Sequence, residues 1–164
     1  MKSKTNFFLL TSILLATIIT GWLYYQTVNR VGDLSKNKQQ DANFQVCNED
    51  KIFQYYNLDT DYQGGKKAIK TGIFEDLESL NFKNPGLITS RFIVNCKGEP
   101  GRFRYKSTDL DLKEMKVDSE NIEKIKSAVL KLENWKPAKS ENNLYDSYYV
   151  LNFKIRNNKI VDIF

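Results

Sequence analysis

The 164-residue chain has no histidine, and it has only two cysteines and three prolines. Without histidine it lacks the most common general base, the most common metal ligand and the usual partner of a serine or cysteine nucleophile. Its first proline is Pro85, so no stiff proline-rich spacer precedes that residue. These absences argue against an enzyme and against a long extended linker.

The chain also lacks long runs of one charge. Its 25 Lys and Arg residues and 20 Asp and Glu residues are interspersed, as in residues 113–116 (KEMK). No arginine-rich helix or aromatic-basic platform is present, so we expect no nucleic-acid binding. Asp109 and Asp111 could form a carboxylate metal pair, but the leucines around them favour an alternating segment with its polar face in solvent. No pattern specifies a reaction or a cofactor.

The longest uncharged run is Phe7–Tyr25 (FFLLTSILLATIITGWLYY). It is just long enough for the roughly 20 apolar residues that a helix needs to cross a hydrocarbon core of about 30 Å. Trp22, Tyr24 and Tyr25 cluster at its far end, and such aromatic rings prefer the headgroup layer of a membrane. The run therefore predicts a membrane-spanning helix.

A cleaved signal peptide is the alternative interpretation of this run. The apolar core of a signal peptide normally has about 7–15 residues and ends at a small-x-small site. Here the core is longer, and bulky Ile19 stands where a small residue is needed. We therefore expect an uncleaved signal anchor over residues 1–25. Its short N-terminal tail favours a topology with the N terminus inside and the rest of the chain exported, although the flanking charges do not decide the orientation.

The two cysteines, Cys47 and Cys96, both lie on the exported side in this topology. An oxidising compartment permits a disulfide between them. It would close a loop of about 50 residues and contribute roughly 4 kcal/mol in the chain-entropy model. Two free, partly buried thiols are the alternative, because the spacing in sequence does not bring the Cβ atoms together.

Residues 26–61 are predicted to be a polar tether and a lead-in without a clear period, and the domain is expected from residue 62. Apolar residues recur at helical spacing from Ile69 to Leu80, and this helix must end before Asn84, which precedes a proline. Residues 86–95 alternate as a half-buried strand. After a glycine-containing turn, residues 102–108 form the return strand of a hairpin.

The second half repeats this order. A helix begins at Asp118 or at the serine that follows it, and residues 135–138, which include a proline, end it. Residues 147–155 form a strand, residues 157–158 (NN) a hairpin turn, and residues 159–164 the last strand. The order α-β-β-α-β-β predicts an α+β fold in which two helices pack on one face of a small antiparallel sheet.

Four short motifs then occur in a familiar order: residues 62–69 (YQGGKKAI), 92–95 (FIVN), 98–101 (GEPG) and 135–138 (WKPA). With them the chain resembles the TonB C-terminal domain family, in particular the forms found in Bacteroidetes, over about residues 62–164. The resemblance implies two helices on a small antiparallel sheet, anchored in the inner membrane by one N-terminal helix, with the C-terminal domain in the periplasm. It also implies that this domain binds outer-membrane transporters, motor subunits or other envelope proteins.

Members of that family bind by pairing an edge strand with an extended peptide, so that main-chain hydrogen bonds supply affinity. The candidate contact residues are Ser147, Tyr149, Leu151 and Phe153, with Ile160 on the last strand. The alternative is that residues 147–155 form an ordinary central strand, because exposed edges are usually covered.

The chain departs from the energy-transducing members of the family, which carry a proline-rich spacer and a histidine in the membrane helix. We therefore expect a non-enzymatic, membrane-anchored protein-binding domain. A true energy transducer and a structural envelope module remain the alternatives, and self-association is left open.

Overall fold

The computed structural model describes residues 2–28, 34, 37, 41–54, 58 and 60–164. The chain divides into two compact units, Met1–Asp33 and Leu34–Phe164. The second unit thus begins well before residue 62, where the sequence placed the start of the domain. The added residues belong to the lead-in, which shows no period of its own.

The first unit contains one helix, α1 (Lys2–Val28). Its segment Asn6–Tyr25 has a mean hydropathy of 1.9 and is long and apolar enough to cross a membrane. Its threonine hydroxyls donate to carbonyl oxygens one turn earlier, as Thr11 does to Phe7 at 3.0 Å and Thr20 to Ala16 at 2.8 Å. These bonds satisfy the polar groups within the helix, which a hydrocarbon environment requires.

The second unit is α+β. Its elements, in chain order, are β1 (Ile52–Gln54), β2 (Asp61–Tyr62), α2 (Gly65–Glu78), β3 (Gly86–Val94), β4 (Pro100–Thr108), α3 (Ser119–Leu130), β5 (Trp135–Lys136), β6 (Ala138–Ser140), β7 (Asn143–Arg156) and β8 (Lys159–Ile163). Six of these, α2, β3, β4, α3, β7 and β8, follow the predicted order. Asp118 is the N-cap of α3, and both residues of the predicted 157–158 turn have positive φ.

The main sheet has six strands and is mixed. Its order is β1-β7-β3-β4, and β6 and β8 also pair with β7. The expected small, entirely antiparallel sheet is not confirmed, because β1 from the lead-in runs parallel to β7. A second sheet of two strands pairs β2 with β5.

The hydrophobic core joins the two helices to the main sheet. Ile69, Ile73 and Leu77 of α2 and Ile125 of α3 are almost completely buried, together with Phe92 and other apolar residues of the strands. The spacing of the helical residues is the amphipathic pattern visible in the sequence.

Trp135 anchors one end of this core. Its ring makes edge contacts with Tyr62 at 5.0 Å, Phe92 at 5.4 Å and Tyr149 at 4.7 Å between centroids. Pairing of β5 with β2 draws this residue out of helical geometry, and α3 accordingly ends at Leu130 instead of continuing to residue 135. Such aromatic pairs each contribute about 0.5–1.5 kcal/mol beyond the area they bury.

Alanine substitutions at two glycines test this packing, because they are expected to change the free energy of unfolding in opposite directions. A Cβ at Gly86 would collide with the carbonyl oxygen of Thr108 and lie 3.0 Å from Cε of Met115, whereas one at Gly72 in α2 would meet only Leu132 at 3.4 Å. We expect Gly86→Ala to lower the free energy of unfolding by about 1–3 kcal/mol. Gly72→Ala should raise it by about 0.5–1 kcal/mol, because alanine is the better helix former. Urea unfolding of the full chain in detergent measures both, and a Gly86→Ala chain as stable as the wild type would contradict the packing.

Candidate protein-interaction surface

The five predicted contact residues lie in the interior. Ser147, Tyr149, Leu151 and Phe153 belong to β7 and Ile160 to β8, and all five are buried. The last four are part of the hydrophobic core. The hydroxyl of Ser147 lies 2.5 Å from that of Thr60 in a buried hydrogen bond. In this conformation, these side chains are not accessible to a partner.

The backbone of β7 is also paired along one edge by β3 and at two separate stretches of the other edge. On one edge β3 pairs with residues 147–155. On the other edge β1 pairs with residues 146–148 and β8 with residues 153–156, and Asn152 and Phe164 exchange backbone hydrogen bonds of 2.8 and 3.0 Å. Residues 55–57, which follow β1 in the chain, lie outside the described residues. β7 is a central strand, as the alternative interpretation of the sequence has it.

β4 is the terminal strand of the main sheet on its side, among the residues that the structure describes. Near its C-terminal end, the backbone N–H of Met115 donates to the carbonyl of Ser107 at 3.0 Å, and Thr108 makes a bridge with Glu114. Tyr105, in the middle of the strand, is 44% exposed. Among the described residues, the middle of β4 around Tyr105 is therefore the part of this sheet edge that a partner can reach.

A charge cluster attaches the lead-in to β4. The Arg102 guanidinium, which is buried, donates to both carboxylate oxygens of Glu49 at 2.9 and 2.6 Å. Arg104 donates to both oxygens of Asp41 at 3.0 and 2.8 Å. We call these four residues the β4 charge cluster. Two-pronged arginine–carboxylate contacts of this kind fix geometry as well as adding energy.

The β4 charge cluster shifts the acid–base equilibria of its members. Burial raises the pKa of Asp41, but hydrogen bonds from the Arg104 side chain and the Asn37 backbone outweigh it, so that this pKa lies below its ordinary value. The hydrogen bond to Glu49 raises the pKa of Arg102 further above its ordinary value. Both charges are therefore held in place at neutral pH, and removal of one partner would leave a buried charge uncompensated.

Cys47 and Cys96 form a disulfide bond with a Cα–Cα distance of 6.1 Å. Asp146, only 1% exposed, organises the backbone around it. One of its oxygens accepts the N–H groups of Cys47 at 3.0 Å and Cys96 at 2.9 Å, and the other accepts that of Asn48 at 2.7 Å. The disulfide and this carboxylate thus join the lead-in, the turn after β3 and the start of β7.

Two groupings of possible metal ligands have a structural explanation. The ligand atoms of Cys47, Cys96 and Asp146 lie within 4.8 Å of one another, but the sulfur atoms are bonded to each other. At the other candidate pair, Asp109 accepts the backbone N–H groups of Asp111 and Lys113, both at 2.9 Å. Asp109 thereby shapes the loop in which it stands.

Sequence reasoning missed the roles of Asp41, Glu49 and Asp146, because single acids in polar segments carry no period. One signal was present. Arg102 and Arg104 alternate with Phe103 and Tyr105, which places both arginines on the sheet face opposite the helices, where buried cations require acidic partners.

No family model, curated protein or solved structure matches the chain. The likeness to TonB C-terminal domains therefore rests on the short motifs named above. The functional argument has to be made from the geometry of the chain itself.

The lowered pKa of Asp41 predicts a stability that depends on pH. A carboxyl whose pKa is lower in the folded state stabilises it above its unfolded pKa of about 3.9, and this contribution is lost as the pH falls through the folded value. Asp41→Asn should therefore be less stable than the wild type at neutral pH and lose less stability on acidification. Unfolding free energies between about pH 7 and pH 3 measure this. Asp50→Asn, an exposed acid of the same segment, is the control, and equal acid profiles for all three chains would contradict the prediction.

Proposed function

We propose that the chain is a non-enzymatic, membrane-anchored domain that binds proteins of the cell envelope, in the manner of TonB C-terminal domains. Two features support the exported location. Helix α1 has the length and composition of a membrane-spanning segment, and the second unit contains the Cys47–Cys96 disulfide. Disulfides persist in oxidising compartments. In this proposal α1 is a single-pass anchor in the inner membrane and the C-terminal domain lies in the periplasm.

The observation that carries the binding role is the position of β4 as the terminal strand of the main sheet, with its middle exposed at Tyr105. An extended peptide that adds to such an edge gains main-chain hydrogen bonds, and neighbouring side chains select its sequence. The β4 charge cluster supports this strand from the sheet face opposite the helices, and the disulfide fixes the lead-in that supplies its two acids. A strand held in this way is already ordered before a partner arrives, which lowers the entropic cost of binding.

The location has a direct test in cells. If the domain is exported, Cys47 and Cys96 should resist alkylation by a maleimide polymer until a reductant is added, because both sulfurs are in the disulfide. Intact cells that express the full chain are lysed in excess maleimide, with and without prior reduction, and the mobility of the chain is compared on a gel. Two alkylated cysteines without reductant would place the domain in a reducing compartment and contradict the proposal.

The binding surface is tested with a photo-crosslinking amino acid in place of Tyr105, on β4. We expect it to capture an envelope protein in living cells. The matched control carries the same probe in place of Glu75, which is exposed on α2 and distant in sequence from the sheet edge. Capture of the same protein with equal yield from both positions would indicate random collision and would remove β4 as the binding edge.

A further inference from the structure

A groove of about 210 Å³ lies at the end of the sheet where the start of β3 stands between the last residues of β4 and of β7. Its apolar wall consists of Leu87, Leu110, Leu112, Ile155 and Phe164. Three of these side chains are strongly exposed, Leu110 by 70%, Leu112 by 80% and Phe164 by 43%. An apolar cavity of about 150 Å³ accommodates a benzene ring, so this groove has room for a side chain of the size of phenylalanine.

The loop after β4 presents its leucines in a fixed arrangement. Asp109 accepts two backbone N–H groups through one carboxylate oxygen, and its own N–H donates to the carbonyl of Lys113 at 2.9 Å. Leu112 has a φ of 62°. Leucine adopts this left-handed conformation only at an energetic cost, whereas asparagine adopts it far more readily. The fold gains nothing from a leucine that is both strained and exposed at this position.

The charges at the groove are separated. Lys154 and Arg156 line the wall contributed by β7; in the hairpin register Lys154 lies opposite Asp162, whereas Arg156 lies opposite another cation, Lys159. Among the described residues, no carboxylate forms an ion pair with Arg156. The acids Asp109 and Asp111 lie on the loop at the other side. An occupant that carries a carboxylate next to a large apolar group would match the cationic wall and fill the apolar one.

A protein segment fits these features better than a lipid surface does. The two acids alternate with the exposed leucines, so inserting this loop into an anionic membrane would bring carboxylates against anionic headgroups. The surface is also concave, as sites for single side chains are, and not a protruding tip.

We propose that this groove binds an extended segment of a partner protein that carries one large apolar side chain beside an aspartate or glutamate. The inference rests on the proposed protein-binding function and names a second contact, distinct from the edge of β4, together with the chemistry that it selects. Leu110 and Leu112 hold the apolar side chain, and Lys154 and Arg156 bind the carboxylate.

The test uses the full chain in nanodiscs and a phage-displayed library of random peptides. Wild-type selections should enrich peptides in which a large apolar residue adjoins an acidic one. Leu112→Asn should weaken binding of these peptides by about tenfold or more, as truncation of an interface anchor does. Because asparagine suits the left-handed position, this variant should fold at least as well as the wild type. Leu144→Asn, at another exposed leucine at the opposite end of β7, should bind as the wild type does.

A charge exchange tests the polar half of the site. The double variant Lys154→Glu and Arg156→Glu should lose the acidic peptides and enrich basic ones, whereas Lys139→Glu on β6 should change nothing. Selected peptides that bind all variants equally, or no enrichment at all, would overturn the inference. So would wild-type binding to anionic vesicles that Leu112→Asn abolishes, or a wild-type dimer that becomes a monomer in that variant.

The two proposals fail in distinguishable ways. If the Tyr105 probe captures its partner equally well in the wild type and in Leu112→Asn while peptide selection fails, the groove is wrong and the protein-binding function stands. If the probe captures nothing but the groove selects the expected peptides, the groove stands without β4 as the cellular binding edge.

Discussion

The second unit depends on one strand, β7, whose 14 residues need backbone partners on both sides. β3 supplies the longest pairing, and β1, β6 and β8 pair with shorter stretches. Every strand of the main sheet except β4 is thus held directly by β7. The alternation of its side chains also places Tyr149, Leu151 and Phe153 in the core below the helices. A strand in this position cannot remain open to another chain without losing part of the fold.

The lead-in is attached by a different kind of interaction. It has few buried apolar residues, and besides the pairing of β1 with β7 its described part is held by the β4 charge cluster, the disulfide and the N–H groups of Cys47 and Asn48, which donate to Asp146. In the chain-entropy model, a bridge over a loop of about 50 residues contributes roughly 4 kcal/mol. The covalent bond restricts where residue 47 can go, and the buried charges define how the neighbouring backbone lies on the sheet. A segment without a hydrophobic pattern becomes ordered in this way.

These attachments determine which surface is left for a partner. With the predicted contact side chains of β7 buried and the β4 charge cluster covering part of the sheet face opposite the helices, two features stay accessible among the described residues: the middle of the β4 edge and the groove beside the loop after it. The β4 edge lies on the side of the sheet that does not pair with β7, and the groove borders the last residues of β7. The proposed binding role therefore depends on the terminal strand of the main sheet, where strand pairing ends. It does not involve the five contact residues that the sequence alone put forward.

Local periodicity in the sequence was sufficient to predict α2, β3, β4, α3, β7 and β8, the 157–158 turn and the apolar helix, because each depends on its own spacing of apolar and turn residues. The same patterns could not reveal that β1 pairs in parallel, that the proposed contact side chains of β7 are buried, or that Asp41 and Glu49 bind arginines of β4 while Asp146 binds the backbone at the disulfide. Those features join residues far apart in the chain, such as Arg102 with Glu49 and Asp146 with both cysteines. The sequence by itself determined these elements and the apolar N-terminal helix, whereas only the tertiary structure decided which edges and charges are left exposed, because exposure depends on neighbours that are distant along the chain.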